Sequence, residues 1–167
     1  LEKYAEDFRI IYNKAWARHG GGKELDSRQV LAFFNQMKPV IDEKLIWYVY
    51  YKNEPVAMWV SLPDINQIFR KFNGRFTVLE KLLFVWMLRR KHIRKFIGLV
   101  FGVVPEHQGK GVDSYMIVEG ATQIRKDNQY LDFEMQWIGD FNPKMVSIAE
   151  NLGTYKCRVL KTYRFLF

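Results

Sequence analysis

An apolar run near the middle of the chain limits the possible folds more than any other feature. Phe96–Val104 is uncharged and almost wholly apolar, and it lies within a predicted strand over Ile93–Val104. Such a run is typical of a central strand covered on both faces. A glycine-containing loop, Pro105–Gly111, follows, and then a helical pattern continues to about Lys126. The sequence therefore predicts a buried strand joined to a helix in an α/β domain.

Other segments supply the partners of this strand. Helical spacing runs over residues 2–18, and a second helical pattern has Ser27 as its expected N-cap. Two aromatic runs around Lys52-Asn53-Glu54 predict a β-hairpin. The remaining predicted elements are a helical turn from Pro63 to about Gly74, a strand Tyr130–Ile138, a helix Pro143–Leu152 and a closing strand Thr154–Phe167. With 167 residues, we expect one domain, 1–167, with a mixed, mostly antiparallel sheet flanked by helices.

The positive charge of the chain is concentrated in one segment. Lys and Arg number 26 against 18 Asp and Glu, a net charge of +8, and residues 70–95 hold nine of the basic residues with one acid, Glu80. A general polyanion coat, and with it nucleic acid, is therefore an unfavoured partner. Within this segment, Val78–Leu88 is apolar nearly all round, which normally means burial on several sides. We prefer docking of residues 70–95 on a missing N-terminal domain or a second subunit; the alternatives are peripheral membrane contact and a site for an acidic substrate or RNA.

Cysteine content and apolar run lengths bear on the compartment. Cys157 is the only cysteine, so no intrachain disulfide can form and a reducing compartment is expected. The longest apolar runs fall far short of the ~20 residues of a membrane span. The chain begins with neither an initiator Met nor the apolar core of a signal peptide. We expect a cytoplasmic protein, and the immediate helical pattern indicates a fragment of a longer chain.

The loop after the central strand is a candidate anion site. Backbone N–H groups at a helix N-terminus, next to residues without side chains, suit a phosphate group, and Lys110 could add a point charge. The glycine spacing is neither that of a Walker A loop nor that of a Rossmann fingerprint. A simple strand-to-helix connection is the structural alternative.

This segment resembles the signature of the N-acetyltransferase (GNAT) superfamily, Val-x-Pro-x-x-Gln/Arg-Gly-x-Gly. The matching residues are Val103, Pro105, Gln108, Gly109 and Gly111. The element order is also similar to that fold without its first strand, and Asn142 followed by Ile148-x-Glu150-Asn151-Leu152-Gly153 resembles its later helix motif. The motifs Pro63-Asp64-x-Asn66 and Asn73-Gly74-Arg75 further resemble longer bacterial GNAT-like proteins, in which such a domain forms the C-terminal half.

The resemblance implies an acyl-CoA-dependent N-acyltransferase, with acetyl-CoA or another acyl-CoA as co-substrate. It implies that the pantetheine arm pairs with backbone at Gly102, Val103 and Val104. The pyrophosphate would lie on the amides of Gly109, Lys110, Gly111 and Val112 beside Gln108, and Asn142 would face the cofactor. The acceptor would be a small-molecule or peptide amine, or a lipid headgroup. The three histidines are dispersed, so no metal is expected.

Two residues depart from the superfamily pattern. Asp113 stands where the motif has Gly or Ala, and Ala149 stands where a tyrosine often protonates the departing thiolate. These departures motivate an alternative from another class, a catalytically degenerate GNAT-fold binding or assembly module that does not use CoA. A third hypothesis is an aminoacyl-tRNA-dependent transferase on the same fold, with tRNA bound by residues 70–95.

Candidate catalytic and acceptor residues come from two regions. Glu134, flanked by Phe133 and Met135, could have a raised pKa and act as a base; an exposed strand residue is the alternative. Asp64, Asn66 and Arg75 could line the acceptor site. Equally, Asp64 could cap a helix and Asn73-Gly74 could end one.

Overall fold

The computed structural model describes residues 1–17, 23–126 and 128–165. The chain divides into two compact units, Leu1–Gln136 and Trp137–Phe167, which are described separately. The helices of the first unit are α1 (Glu2–Tyr12), α2 (Ser27–Met37), α3 (Asn66–Phe69), α4 (Val78–Arg89) and α5 (Val112–Arg125). Its strands are β1 (Ile46–Tyr51), β2 (Glu54–Pro63), β3 (Lys95–Val103) and β4 (Asp132–Met135). The second unit contains α6 (Pro143–Asn151).

The first two helices begin and end for local reasons. α1 continues into a π-helical turn, Asn13–Ala17, and the predicted glycine stop at 20–22 lies outside the described residues. The expectation that Ser27 caps α2 is wrong. The carboxylate of Asp26 accepts from the N–H groups of Arg28 (2.7 Å) and Gln29 (2.9 Å), so Asp26 is the N-cap. A carboxylate one residue earlier satisfies these donors and leaves Ser27 as the first helical residue.

The described strands form one mixed sheet in the order β1-β2-β3-β4. β1, β2 and β3 pair antiparallel, and β4 pairs parallel to β3, which confirms the predicted mixed, mostly antiparallel arrangement. The β1–β2 turn uses Lys52 (φ 49°) and Asn53 (φ 67°), the two positive values of a tight hairpin turn. β3 is flanked by β2 and β4, as expected for the apolar run.

Helices cover both faces of the sheet. On one face, α1 and α2 bury Phe8, Ile11 and Phe34 against Met58 and Val60 of β2. On the other face, Met116 of α5 and Met87 of α4 belong to the same core as Trp59 and Phe96. The alternation along β2, with Met58 on one face and Trp59 on the other, follows from the two-residue period of a strand.

Three expectations about the later elements differ from the structure. The closing strand is wrong over the described residues 154–165, which are exposed and form no strand; Leu166 and Phe167 lie outside the described residues. A strand needs a neighbour with which to exchange hydrogen bonds, and an alternating sequence cannot supply one. The strand predicted at Tyr130–Ile138 is limited to β4. α4, expected to be buried on several sides, has Met87 as its only fully buried residue.

No helix among the described residues is long and apolar enough to cross a membrane. Within the same residues, no three His, Cys, Asp or Glu side chains group closely enough to hold a metal ion.

Candidate functional site

A β-bulge in β3 shapes the edge where the candidate site lies. Val60 of β2 pairs with Val100 of β3, but the next residue, Ser61, pairs with Gly98. Leu99 is therefore an extra residue on β3. After Leu99, the even-numbered residues direct their backbone N–H and C=O groups toward β2, whereas before it the even-numbered residues direct them toward β4. Before the bulge, the Gly98 carbonyl faces β4 and accepts from the N–H of Gln136 at 3.0 Å.

Beyond the bulge, β3 has no neighbouring strand from the described part of the first unit on the side where β4 has ended. The N–H of Val104 donates to the Val56 carbonyl at 2.9 Å, which marks Val56 and Val104 as a hydrogen-bonded pair. Because such pairs alternate along an antiparallel ladder, Phe101 and Val103 direct their N–H and C=O groups away from β2. No strand of the first unit pairs with this edge beyond Gly98 within the described residues. Of the predicted pantetheine-binding residues Gly102, Val103 and Val104, only Val103 has this orientation, and Phe101 shares it. Their role toward a cofactor remains a prediction.

The loop after β3 continues this edge into the N-terminus of α5. A short 3-10 turn, Pro105–His107, leads to Gly109 (φ 69°) and Gly111 (φ 77°). Both glycines adopt the left-handed conformation that other residues avoid, and a Cβ at either position would meet no atom within 4 Å. Their role is thus to set the path of the backbone and to leave the space above it open.

Among the described residues, no side chain caps the N-terminus of α5. The N-cap residue is Gly111, which has no side chain that could accept from the first N–H groups of the helix, including that of Val112. Gln108 joins the loop to the strand, because its Nε2 donates to the Val103 carbonyl at 3.0 Å. The strand edge and the helix N-terminus are therefore two parts of one continuous backbone surface. Uncapped N–H groups and the positive end of the helix dipole favour an anion here.

Charged side chains near the helix N-terminus are few. Lys110 is exposed on the loop, and Asp113 lies partly buried in the first turn of α5. A carboxylate in a first helical turn is itself stabilised by the helix dipole. Asp113 and a bound phosphate would therefore compete for the same positive end of α5. His107 packs its ring 5.1 Å from that of Tyr51, centroid to centroid, which makes it a half-buried loop residue.

Trp16, in the π-helical turn after α1, lies against β3 at Gly102. A Cβ built on Gly102 would lie 3.2 Å from Trp16 Nε1, so glycine at 102 allows the indole to approach the strand. Trp16 stacks with Tyr12 (ring centroids 6.5 Å apart), and Tyr12 stacks with Phe8. The four-residue spacing of Phe8, Tyr12 and Trp16 in the sequence predicts that they share a helix face. The approach of Trp16 to Gly102 is a tertiary feature that this spacing does not contain.

Glu134 of β4 forms an ion pair with Lys95 of β3. Both side chains are about a quarter exposed, at 21% and 26% respectively. Glu134 lies opposite Ile97 in the parallel ladder, which is about 20 Å from Val103 along β3 at ~3.3 Å per residue. The structure therefore places Glu134 near the β3 start, with a cationic partner, and the catalytic role remains a prediction.

The predicted acceptor residues also lie toward the start of β3. Pro63 pairs with Phe96, and the next residue, Asp64, accepts from the N–H of Asn66 at 3.2 Å through its carboxylate. Asn73 has a left-handed backbone (φ 49°) and ends the helical turn, and Arg75 is exposed beyond it. Asn73 thus has the helix-stop conformation, whereas Asp64 stands one residue before Ile65, the N-cap residue of α3. The acceptor roles of Asp64, Asn66 and Arg75 remain predictions.

Asn142 belongs to the second unit. Its side chain caps α6, where Oδ1 accepts from the N–H of Met145 at 3.2 Å. The role of Asn142 toward a cofactor remains a prediction.

The element order, the mixed sheet and the strand–glycine loop–helix unit are those of the GNAT acetyltransferase fold, and this chain has that fold. A similar solved structure is the aminoglycoside 6'-N-acetyltransferase AAC(6')-Ig from Acinetobacter haemolyticus, with a TM-score of 0.61, 16% identity, and coverage of 100% of this chain and 95% of that one. Another is AAC(6')-Iy in complex with the bisubstrate analogue CoA-S-monomethyl-acetylneamine, with a TM-score of 0.60, 11% identity, and coverage of 99% and 93%.

Two curated relatives share somewhat more sequence identity with this chain and are longer. The bacterial ceramide synthase of Caulobacter vibrioides is 23% identical over 157 residues, which cover 92% of this chain and 41% of that protein. Protein YghO of Escherichia coli is 21% identical over 168 residues, covering 97% and 43%. The chain thus spans about two fifths of the length of these relatives. No family model matches the sequence.

Proposed function

We propose that this chain is an acyl-CoA-dependent N-acyltransferase. One observation carries the proposal: the open backbone edge of β3 runs directly into the uncapped N-terminus of α5 through a loop held open by two left-handed glycines. An extended pantetheine arm has amide groups that can pair with a strand edge, and a pyrophosphate suits uncapped helical N–H groups. Both parts of CoA would be bound mainly by backbone.

In this proposal, the N–H and C=O groups of Phe101 and the N–H of Val103 hold the pantetheine arm and place its thioester toward the bulge at Leu99. The Val103 carbonyl already accepts from Gln108 Nε2. The acceptor amine attacks the thioester carbonyl, a C–N bond forms, the C–S bond breaks, and the amine loses a proton to a base or to water. The departing thiolate takes up a proton from solvent, since Ala149 stands at the position of the usual tyrosine acid. Holding the two reactants together supplies much of the rate enhancement.

We propose a lipid amine as the acceptor, on the basis of one relative's name. One relative is named a ceramide synthase, and a ceramide is the amide of a fatty acid with a sphingoid base. The same N-acylation on this chain would take a long-chain amino alcohol as acceptor. The partly exposed Trp16, stacked beside β3, provides an aromatic surface suited to an apolar substrate.

Calorimetry with acetyl-CoA tests the binding step. We expect micromolar affinity, and no detectable heat at millimolar ligand would refute the proposal and favour the alternative, a GNAT-fold module that does not use CoA. Asp113, which occupies the positive pole of α5, is the observation behind that alternative. Release of free thiol, with sphinganine in detergent micelles or a short peptide as acceptor, tests transfer.

Glu134→Gln tests the proposed base. If Glu134 removes the proton, kcat falls about 10²–10⁴-fold while the affinity for acetyl-CoA is unchanged. Asp132→Asn, at an exposed carboxylate on the same strand, is the matched control. Full activity of Glu134→Gln would limit Glu134 to its ion pair with Lys95.

A further inference from the structure

The outer face of α4 is apolar and exposed, although the helix is well anchored on its inner side. Phe84 and Leu88 pack against the core, and the Phe84 ring stacks on that of Phe69 with 5.2 Å between centroids. The outer face carries six large apolar side chains that are 44–76% exposed: Val78, Leu79, Leu82, Leu83, Val85 and Trp86. On a helix with 100° between residues, these side chains cover nearly half of the circumference.

Basic residues greatly outnumber acidic ones in the segment that contains this face. Residues 70–95 contain nine basic residues and one acid, Glu80. The Glu80 carboxylate accepts from the N–H (2.8 Å) and the hydroxyl of Thr77, so it is engaged in capping α4. Exposed Arg75 and Lys81 lie near the start of the helix and Arg89 and Arg90 at its end. The Arg90 guanidinium lies 5.9 Å from the Trp86 ring centroid, so a cation and an indole share this end.

We propose that α4 and its basic flanks, residues 75–91, bind the surface of an anionic lipid bilayer. Aliphatic and indole side chains would enter the boundary between headgroups and acyl chains, and the flanking cations would contact the negatively charged headgroups. Because Phe84 and Leu88 hold the inner side of α4 against the core, the helix would lie in the plane of the interface with only its outer face inserted. The charge of the segment complements a phospholipid phosphate layer.

The size of the face favours a bilayer over a second copy of the chain. The face consists of six apolar side chains on a helix about 18 Å long. A standard protein–protein interface involves about 20–30 residues from each partner. A second copy would also place like charges opposite each other, because the same basic residues would surround both faces.

Vesicle co-sedimentation tests the proposal without reference to catalysis. The protein is mixed with vesicles of phosphatidylcholine containing 30 mol% phosphatidylglycerol, or of phosphatidylcholine alone, in 0.1 M and 1 M NaCl. We expect binding to the anionic vesicles that weakens at least tenfold in pure phosphatidylcholine and in 1 M NaCl. Arg89→Gln with Arg90→Gln should weaken it about 25-fold, at about fivefold per cation.

A matched pair of double variants locates the surface. Leu79→Glu with Leu82→Glu, at residues that are 76% and 64% exposed, should abolish binding. Val118→Glu with Leu131→Glu, 62% and 70% exposed elsewhere in the same unit, should leave it unchanged. Equal loss in both pairs, or no binding at 1 mM anionic lipid, overturns the proposal. Concentration-dependent dimerisation that only the α4 pair abolishes would assign the face to a second copy and overturn it as well.

Discussion

A charge series at Gly111 tests whether the N-terminus of α5 binds phosphate. Gly111→Gln and Gly111→Glu place side chains of equal shape at the N-cap, and they differ only in charge. No atom lies within 4 Å of the new Cβ, so both fit without a clash. Both must adopt the left-handed backbone of Gly111 (φ 77°), and both therefore incur the same conformational cost.

The conformational cost and the charge repulsion differ in size. The first is measured as a change in Tm and the second as a change in affinity. Forcing a side chain into the left-handed conformation costs about 1–2 kcal/mol, which lowers Tm by about 2–8 °C in a domain of this size. A glutamate charge about 6 Å from each of two phosphate charges repels each by about 0.7 kcal/mol at the dielectric constant of water. The sum of about 1.4 kcal/mol corresponds to tenfold weaker binding for the Glu variant than for the Gln variant.

Titration calorimetry with acetyl-CoA at 0.05 M and 0.5 M NaCl measures the difference. We expect tenfold weaker binding by Gly111→Glu at low salt and a smaller ratio at high salt, because salt screens the repulsion. Gly74→Glu, at another open left-handed glycine (φ 79°), should lower Tm similarly without changing affinity. Equal affinities of the Gln and Glu variants at both salt concentrations would refute phosphate binding at α5.

Three further predictions concern stability. The Tyr50 hydroxyl donates to the buried Asp7 carboxylate at 2.5 Å, so Tyr50→Phe should lower the free energy of unfolding by about 1–3 kcal/mol at pH 7. Burial, followed by this hydrogen bond, raises the pKa of Tyr50 above its ordinary value of ~10. Its stabilisation is thus fully present below pH ~10 and is lost as the pH rises above it, which urea titrations between pH 8 and 11 would detect. Ser61 is fully buried and its hydroxyl has no hydrogen-bond partner among the described residues, so Ser61→Ala should raise stability by about 1 kcal/mol in the same titrations. A Cβ at Gly120 would lie 2.7 Å from the Trp59 ring, so Gly120→Ala should cost about 1–3 kcal/mol and lower Tm in calorimetry.

Each of these predictions can fail in a distinct way. Tyr51→Phe, at an exposed neighbour of Tyr50, should leave the pH dependence intact; if it has the same effect, the Asp7 contact is not the cause. A loss of stability in Ser61→Ala would mean that the hydroxyl has a partner such as bound water. A higher Tm for Gly120→Ala would mean that Trp59 moves aside and that the gain in helix propensity exceeds the overpacking.

Local sequence patterns were sufficient for the central part of the fold. The apolar run of β3, the glycine loop and the start of α5 fall where the sequence predicts them, because burial, turn conformation and helix initiation depend on neighbouring residues. The same holds for the β1–β2 hairpin, whose two-residue turn requires positive φ at Lys52 and Asn53. Cross-strand pairing had no such local signal. For that reason, residues 154–165, which alternate like a strand, were predicted as one and form none.

By itself, the sequence determined the fold class, the place of the glycine loop and the resemblance to acyl-CoA-dependent enzymes. Only the tertiary structure decided which backbone groups are open. The bulge at Leu99 depends on how β2 aligns with β3, and it exposes Phe101 and Val103 instead of Gly102. The structure also gave Glu134 a cationic partner from another strand and left the outer face of α4 exposed. These features arise from contacts between residues that are distant in the chain. A local sequence pattern does not determine the geometry of such contacts.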